Sequence, residues 1–275
     1  MTATMGDIEI KNVTKIFGSN VKDALALIDK GLDKGAILEA TQCSVGLNNI
    51  SLTIEAGKIF VIMGLSGSGK STLVRHINRL IEPTSGIIQF DNENILELDA
   101  RQLRRFRMHR VSMVFQSFGL MPHRTVLQNV VYGQRVRGMS KSEARPIGMR
   151  WIEAVGLSGY EDKFPRQLSG GMKQRVGLAR AFAANTDVIL MDEAFSALDP
   201  LIRADMQDQL LQLQRDLGKT IVFITHDLDE AVRIGSKIAI LKDGRLVQVG
   251  SSDEILHSPA DDYVARFASR YLERI

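Results

Sequence analysis

Gly64-Leu65-Ser66-Gly67-Ser68-Gly69-Lys70-Ser71-Thr72 fits the pattern G-x-x-x-x-G-K-[ST] and decides the fold. The run before it, Ile59-Phe60-Val61-Ile62-Met63, is apolar on both faces, as a buried parallel strand is, and a helix is expected directly after the loop. Glycines let backbone N–H groups turn inward around phosphates at the helix amino terminus. Lys70 adds a point charge on the outer phosphates, and the Ser71 hydroxyl is suited to ligate Mg²⁺. Every residue of the motif except Leu65 is assigned to the nucleotide. A glycine turn with an incidental lysine is a poor rival, given the full match and its flanks.

Working outward, two further apolar strands, Asp187 to Met191 and Thr220 to Thr225, end abruptly in Asp192-Glu193 and His226-Asp227. Strands alternate with helices, which implies a mostly parallel sheet covered on both faces, with its ligand site outside the carboxyl ends of the strands. Asp192 suits a water-mediated hold on Mg²⁺. Glu193, expected on the other side of the strand, is the candidate general base for an attacking water, an effect worth about 10² to 10⁴ in rate. His226 is placed to sense a γ-phosphate. An acidic pair after a strand is alone more often a helix cap, and a lone histidine more often structural; beside a phosphate loop both readings give way to function.

The remaining chain reads as ordinary globular sequence. It has 275 residues, 44% hydrophobic and 24% charged, which excludes disorder, collagen-like repeats and a disulfide scaffold. Lys plus Arg number 35 against 32 Asp plus Glu, and a formal charge of +3 is too small to make polyanion binding a default. The single cysteine, Cys43, fits a reducing compartment. Met1 to Lys11 does not read as a signal peptide, and no apolar run approaches the roughly 20 residues that span a bilayer, so at a membrane another chain would do the spanning.

Ile8, Ile10, Val13 and Ile16 alternate before Phe17-Gly18 as a first strand, and Leu47, Ile50, Leu52 and Ile54 alternate again. Residues 19–45 between them read as a helical insertion that packs on the first sheet or contacts a partner subunit. Leu98 to Arg180 is mostly helical by period, interrupted by a polar stretch from Gln116 to Arg124. Arg101, Arg104, Arg105, Arg107 and Arg110 form a basic run whose largest reading is a solvated helix face; anionic lipid or an acidic loop of a membrane-spanning chain comes second, and nucleic acid last.

Leu168-Ser169-Gly170-Gly171-Met172-Lys173-Gln174-Arg175 resembles the signature motif of ATP-binding-cassette (ABC) ATPases. Gln116 in Val114-Phe115-Gln116-Ser117 resembles the Q-loop of that family, and Ser196-Ala197-Leu198-Asp199 its D-loop. The resemblance covers essentially the whole chain. It implies an α/β fold: a phosphate-loop ABC nucleotide-binding domain with a RecA-like core, an antiparallel β-subdomain and an inserted α-helical subdomain. Residues 1–275 would be one ABC ATPase domain, with a core of roughly 1–115 and 176–275 and a helical subdomain of roughly 116–175 that carries Q-loop and signature.

The same resemblance implies ATP and Mg²⁺ as cofactors and a head-to-tail homodimer, with each ATP between the phosphate loop of one copy and Ser169, Gly170 and Gly171 of the other. Gln116 would touch Mg²⁺ and the attacking water, so that Ser71, Gln116 and Asp192 form the metal set and Glu193, His226, Gln116 and Lys70 the catalytic set. Asp199 joins the nucleotide-binding residues. Phe17 matches the aromatic that stacks on adenine, although its strand position equally suits a core phenylalanine. Met172 departs from the commoner glutamine of the signature; the phosphate contacts rest on Ser169 and the two glycines, so activity should survive.

Separate membrane subunits favour a bacterial importer over an exporter. Phe115-Gln116-Ser117-Phe118-Gly119-Leu120-Met121-Pro122-His123 and Asp192-Glu193-Ala194-Phe195-Ser196-Ala197-Leu198-Asp199-Pro200-Leu201-Ile202-Arg203, with the methionine signature and the insertion, are similar to the ATPases of glycine betaine/proline (quaternary amine) uptake. The partners implied are two transmembrane permease subunits and a periplasmic or extracellular solute-binding protein, with no nucleic acid, at the cytoplasmic face of the bacterial inner membrane. Choline, carnitine, trimethylamine N-oxide, proline or another amino acid stay open as cargo. Members of that subfamily often carry a carboxyl-terminal pair of cystathionine-β-synthase-type domains; with the sequence ending at Ile275, osmotic gating through that module is expected to be absent. A soluble ABC ATPase acting on ribosomes or DNA is disfavoured because neither a paired cassette nor a long coiled-coil insert is present. A non-hydrolysing regulatory cassette is disfavoured by the presence of Lys70, Gln116, Asp192, Glu193 and His226.

Overall fold

The computed structural model describes residues 6–196 and 198–273. Along the chain run β1 (Ile8–Phe17), α1 (Val21–Asp29), α2 (Lys34–Thr41), β2 (Ser44–Ile54), β3 (Ile59–Met63), α3 (Lys70–Ile77), β4 (Ser85–Phe90) and β5 (Glu93–Asn94). There follow α4 (Ala100–His109), β6 (Val111–Val114), α5 (Val126–Val130), α6 (Tyr132–Val136), α7 (Lys141–Ala154), α8 (Gly170–Ala183) and β7 (Val188–Asp192). The chain closes with α9 (Pro200–Leu217), β8 (Thr220–Thr225), α10 (Leu228–Ile234), β9 (Lys237–Lys242), β10 (Arg245–Gly250), α11 (Ser252–His257) and α12 (Asp262–Leu272). Contacts divide it into two compact units. One comprises 7–55, 60–98 and the chain from Thr225 on; the other comprises Gly6, 56–59 and 99–224.

In the first unit β1 is the centre of an antiparallel sheet in the order β2-β1-β4-β5. Ile8 lies opposite both Ile54 and Phe90, and Ile10 opposite both Leu52 and Ile88. All six are buried, which is why strict alternation made these strands readable from sequence. The fully buried β3 pairs in parallel with β9, and β9 pairs antiparallel with β10.

The insertion is helical, but it is shorter than 19–45: Ser44 and Val45 already belong to β2, where Val45 lies opposite Ile16. Ala24 of α1 and Ile37 of α2 close over Ile16, Cys43 and Val45, with Val21, Leu25, Leu27, Ile28 and Leu32 packed around them. The apolar stripe of each short helix therefore covers the end of the antiparallel sheet. Burying an isoleucine such as Ile37 is worth roughly 1.5–3 kcal/mol, which fixes helices too short to be stable alone.

The second unit is built on three parallel strands. Val111 pairs with Val188 and Val114 with Met191, while β7 pairs with β8 from Val188–Thr220 to Asp192–Ile224. The middle of the chain is thus not all helix: β6 spans only four residues, too few to show a period beside the arginine-rich α4. On α4 a capping box of Asp99 and Gln102 starts the helix, Phe106 is its one buried side chain, and Arg101, Arg104, Arg105 and Arg107 are exposed. Arg110 leaves that face to form an ion pair with Asp187. Among the helices, Trp151 of α7 stacks on Phe182 of α8 with ring centroids 5.4 Å apart. At Gly148 of α7 a Cβ would stand 2.5 Å from Leu127 and from Val131, so glycine allows α7 to approach α5. No helix among the described residues is long and apolar enough to cross a membrane.

Candidate nucleotide site

The residues singled out in the sequence fall into two groups, one in each unit. In the first, β3 ends at Met63 and Gly64 turns the chain with φ +148°, where any Cβ would collide with Leu241 O. Gly69 has φ +103° and stands as the N-cap of α3 with no side-chain cap; a Cβ there would lie 2.7 Å from Gly46 O. Both positions require glycine for the left-handed backbone and the close approach together. Gly67 has φ +77° with nothing near its missing Cβ.

Lys70 is 5% exposed, and its Nζ donates to Gly64 O at 2.8 Å and Leu65 O at 2.9 Å, curling over the loop. Ser66 is exposed, and Ser71 and Thr72 are partly buried on the first turn of α3. The Ser68 hydroxyl is buried with no hydrogen-bond partner among the described residues. A buried hydroxyl left unbonded costs about 1–3 kcal/mol, a cost that a phosphate oxygen accepting from it would remove. With the uncapped helix start and the inward lysine, it makes the loop fit a polyphosphate.

Phe17 ends β1, is 41% exposed and so stands outside the core, and carries Lys15 Nζ 5.0 Å from its ring centroid. Its ring edge lies over Gly46, where a Cβ would meet Phe17 Cε2 at 2.7 Å and Thr72 Cγ2 at 3.4 Å. Glycine at 46 thus leaves room for an exposed aromatic face beside the phosphate loop. His226 follows β8 with its side chain exposed.

In the second unit β7 ends at Asp192, which is 2% exposed. Glu193 does not continue the strand alternation expected of it: its φ is +46°, and its carbonyl accepts from Ser196 N–H at 3.2 Å and Ser196 Oγ–H at 2.9 Å. The direction of the carboxylate therefore comes from this turn. Gln116 Nε2 donates to Glu193 Oε2 at 3.2 Å. Ser169 is the N-cap of α8, its Oγ accepting from Met172 N–H at 3.2 Å, and no described residue lies within 4 Å of where a Cβ on Gly170 would be. Gly171 has Ile202 close by, and Asp199 caps α9 by accepting from Ile202 N–H at 3.1 Å. Ala197, in the D-loop run, lies outside the described residues.

No group of three or more His, Cys, Asp or Glu side chains among the described residues makes a metal cage. Ser71 in the first unit, and Gln116 and Asp192 in the second, each carry a hard oxygen atom of the kind Mg²⁺ takes. Two residues were missed in the sequence. Tyr263 of α12 accepts from Leu65 N–H at 3.2 Å and donates to Leu241 O at 3.4 Å, bracing the phosphate loop from behind. Arg180 of α8 donates to Phe118 O and Gly119 O just beyond Gln116. Neither lies in a motif, and no local signal marks them.

A buried parallel strand, a glycine loop that only glycine permits and a lysine folded over it define a phosphate-loop nucleotide-binding protein. Within that class the ABC transporter family profile matches residues 47–196, and the chain belongs to that family. It is 56% identical over 263 residues to the glycine betaine/carnitine transport ATP-binding protein GbuA of Listeria monocytogenes, covering 96% of this chain and 66% of that protein. It is 55% identical over 260 residues to the glycine betaine/proline betaine transport system ATP-binding protein ProV of Escherichia coli, covering 94% and 65%. The chain thus spans just under two thirds of the length of these relatives. Among solved structures it is similar to the dimeric post-hydrolysis state of the ATP-binding cassette MJ0796 bound to ADP and Pi, with a TM-score of 0.76 and 33% identity over 89% of this chain and 98% of that one.

Proposed function

We propose that this chain binds and hydrolyses ATP to energise an ABC importer of glycine betaine or a related methylated amine. The observation that carries the cargo is the identity of 55–56% along nearly the whole chain to ATP-binding proteins of betaine transport. Hydrolysis is carried by the Gln116–Glu193 contact.

In this reading the N–H groups of the phosphate loop and Lys70 hold the phosphates, and Thr72 and Ser66 complete the cradle. Phe17 stacks on the adenine. Glu193 accepts a proton from the water that attacks the γ-phosphorus, ADP departs with the bridging oxygen, and the Gln116 amide keeps one carboxylate oxygen occupied so that the other serves as base. His226 reads the γ-phosphate. Ser71, Gln116 and Asp192 would hold Mg²⁺, which would supply positive charge against the phosphates. Ser169, Gly170, Gly171 and Asp199 serve the nucleotide of a second copy in a head-to-tail dimer, because a helix start with open space at Gly170 suits an incoming γ-phosphate. Two permease subunits and a solute-binding protein complete the complex, with this chain peripheral on the cytoplasmic face of the inner membrane.

The test is ATP turnover of the reconstituted complex challenged with glycine betaine, proline betaine, choline, carnitine, trimethylamine N-oxide and unrelated amino acids. Stimulation by a methylated amine is the expected result. Stimulation only by unrelated solutes would keep the ATPase and overturn the cargo.

A further inference from the structure

The bend after β6 holds a strained backbone next to the proposed chemistry. Phe118 has φ +65° and Gly119 φ +55°, two successive left-handed residues, and the first carries a bulky side chain that disfavours this region. Phe118 N–H donates to Phe115 O at 3.0 Å and Gly119 N–H to Ser117 O at 2.8 Å.

The carbonyls of both strained residues meet one guanidinium. Arg180 Nη2 donates to Phe118 O at 3.2 Å and Nη1 to Gly119 O at 2.7 Å, from a helix more than 60 residues away in sequence. Burial lowers the pKa of Arg180, so its charge is withdrawn from water and these carbonyls replace part of that solvation. A Cβ on Gly119 would lie 2.9 Å from Phe115 Cδ2 and 3.5 Å from Arg180 Nη2, so the peptide is clamped between ring and guanidinium. Gln116 sits inside this bend, with its amide 3.2 Å from Glu193 Oε2. Farther along, Asn129 anchors the same loop by accepting from Met121 N–H at 2.8 Å and donating to Arg124 O and Thr125 O. Arg180 is thus the anchor on the Gln116 side.

We propose that Arg180 is a positioning residue, which fixes the bend that presents the Gln116 amide to Glu193 and acts on hydrolysis through Gln116. This rests on the reading of Gln116 and Glu193 as the hydrolytic pair. A forked guanidinium serves two carbonyls at once, whereas a lysine ammonium keeps the charge without the fork. Arg180→Lys therefore loosens the bend without removing the cation.

The experiment is a double-mutant cycle on the full chain, with ATP turnover measured for wild type, Arg180→Lys, Gln116→Ala and the double variant. Each single variant is expected to lower kcat by about tenfold, with the KM for ATP changed less than about twofold, and the double variant to turn over no more slowly than Gln116→Ala. Gly119→Ala, which drives a Cβ into Phe115 and leaves α8 untouched, is a second route to the same non-additivity. Amide exchange is expected to quicken at residues 116–120 in Arg180→Lys while the α8 amides keep their protection. Multiplying losses in both cycles, or unchanged kcat in Arg180→Lys, would overturn the proposal and leave the hydrolytic pair standing. Wild-type turnover in Gln116→Ala would overturn the reading of the pair and this proposal with it.

Discussion

Gln116 and Glu193 stand 77 residues apart in sequence and are joined by a hydrogen bond from amide Nε2 to carboxylate Oε2 at 3.2 Å. The donor orients one carboxylate oxygen and leaves the other open for the role of base that we propose for Glu193. Glu193→Gln keeps the shape and removes the carboxylate that we propose as the base. Turnover is expected to fall by about 10² to 10⁴ while the Kd for ATP stays within about threefold. Turnover under saturating ATP, with nucleotide binding measured by titration, checks both halves, and ATP is expected to accumulate on a dimer seen in size-exclusion chromatography. A variant that hydrolyses ATP at the wild-type rate would remove Glu193 from its role.

The glycines of the phosphate loop are not equivalent. Gly64 combines φ +148° with a hydrogen that points at Leu241 O, whereas Gly67 has φ +77° and open space. Gly64→Ala is therefore expected to lose several kcal/mol of stability, through strain and overlap together, and Gly67→Ala only about 1 kcal/mol. Thermal unfolding of the two variants side by side decides it; equal shifts in Tm would show that the approach of Leu241 O is not what demands glycine.

Features were legible in the sequence where the cause is local. β3 shows as a run apolar on both faces, and the loop after it shows as glycines at fixed spacing. Ser169 of the signature caps α8, a local role that serine commonly takes. What was hidden depends on distant partners or on short elements. β6 has four residues, and its identity comes from pairing with β7. The direction of Glu193 follows from a left-handed residue whose carbonyl is held by Ser196, where strand alternation pointed elsewhere. Tyr263 acts on Leu65 across 198 positions, a distance at which no spacing rule operates.

That long-range contact has a measurable consequence. The Tyr263 hydroxyl joins Leu65 N–H to Leu241 O, and the carbonyl of the same Leu65 accepts from Lys70 Nζ. The ring itself is held by Phe267, edge to face at 5.1 Å, and by Lys242 Nζ 4.9 Å from its centroid. Tyr263→Phe keeps those contacts and removes only the hydroxyl. The Kd for ATP is expected to rise by about 3- to 10-fold, the worth of one net hydrogen bond, with kcat at saturation unchanged. Isothermal titration and steady-state kinetics separate the two, and an unchanged Kd would show that the loop does not need this brace.

His76 on α3 predicts an acid limit to stability. Its ring is buried, Nδ1 lies 2.5 Å from Thr72 O, and Nε2 has no partner among the described residues. Burial lowers its pKa below the ordinary 6.5 and Lys15 adds to the shift, against the Thr72 carbonyl and Glu82, which raise it. The ring with its proton on Nδ1 donates to Thr72 and stays neutral in the folded chain, while the unfolded chain binds a second proton from about pH 6.5 down. Stability is thus fully present above 6.5 and falls as the pH drops toward the folded-state pKa, by up to about 1.4 kcal/mol per pH unit. Calorimetric Tm at pH 5.5, 6.5 and 7.5 is expected to show this fall in the wild type and a shallower one in His76→Leu, since carboxylates and exposed histidines act equally in both. Parallel curves for the two proteins would show that His76 is not the group that sets the acid limit.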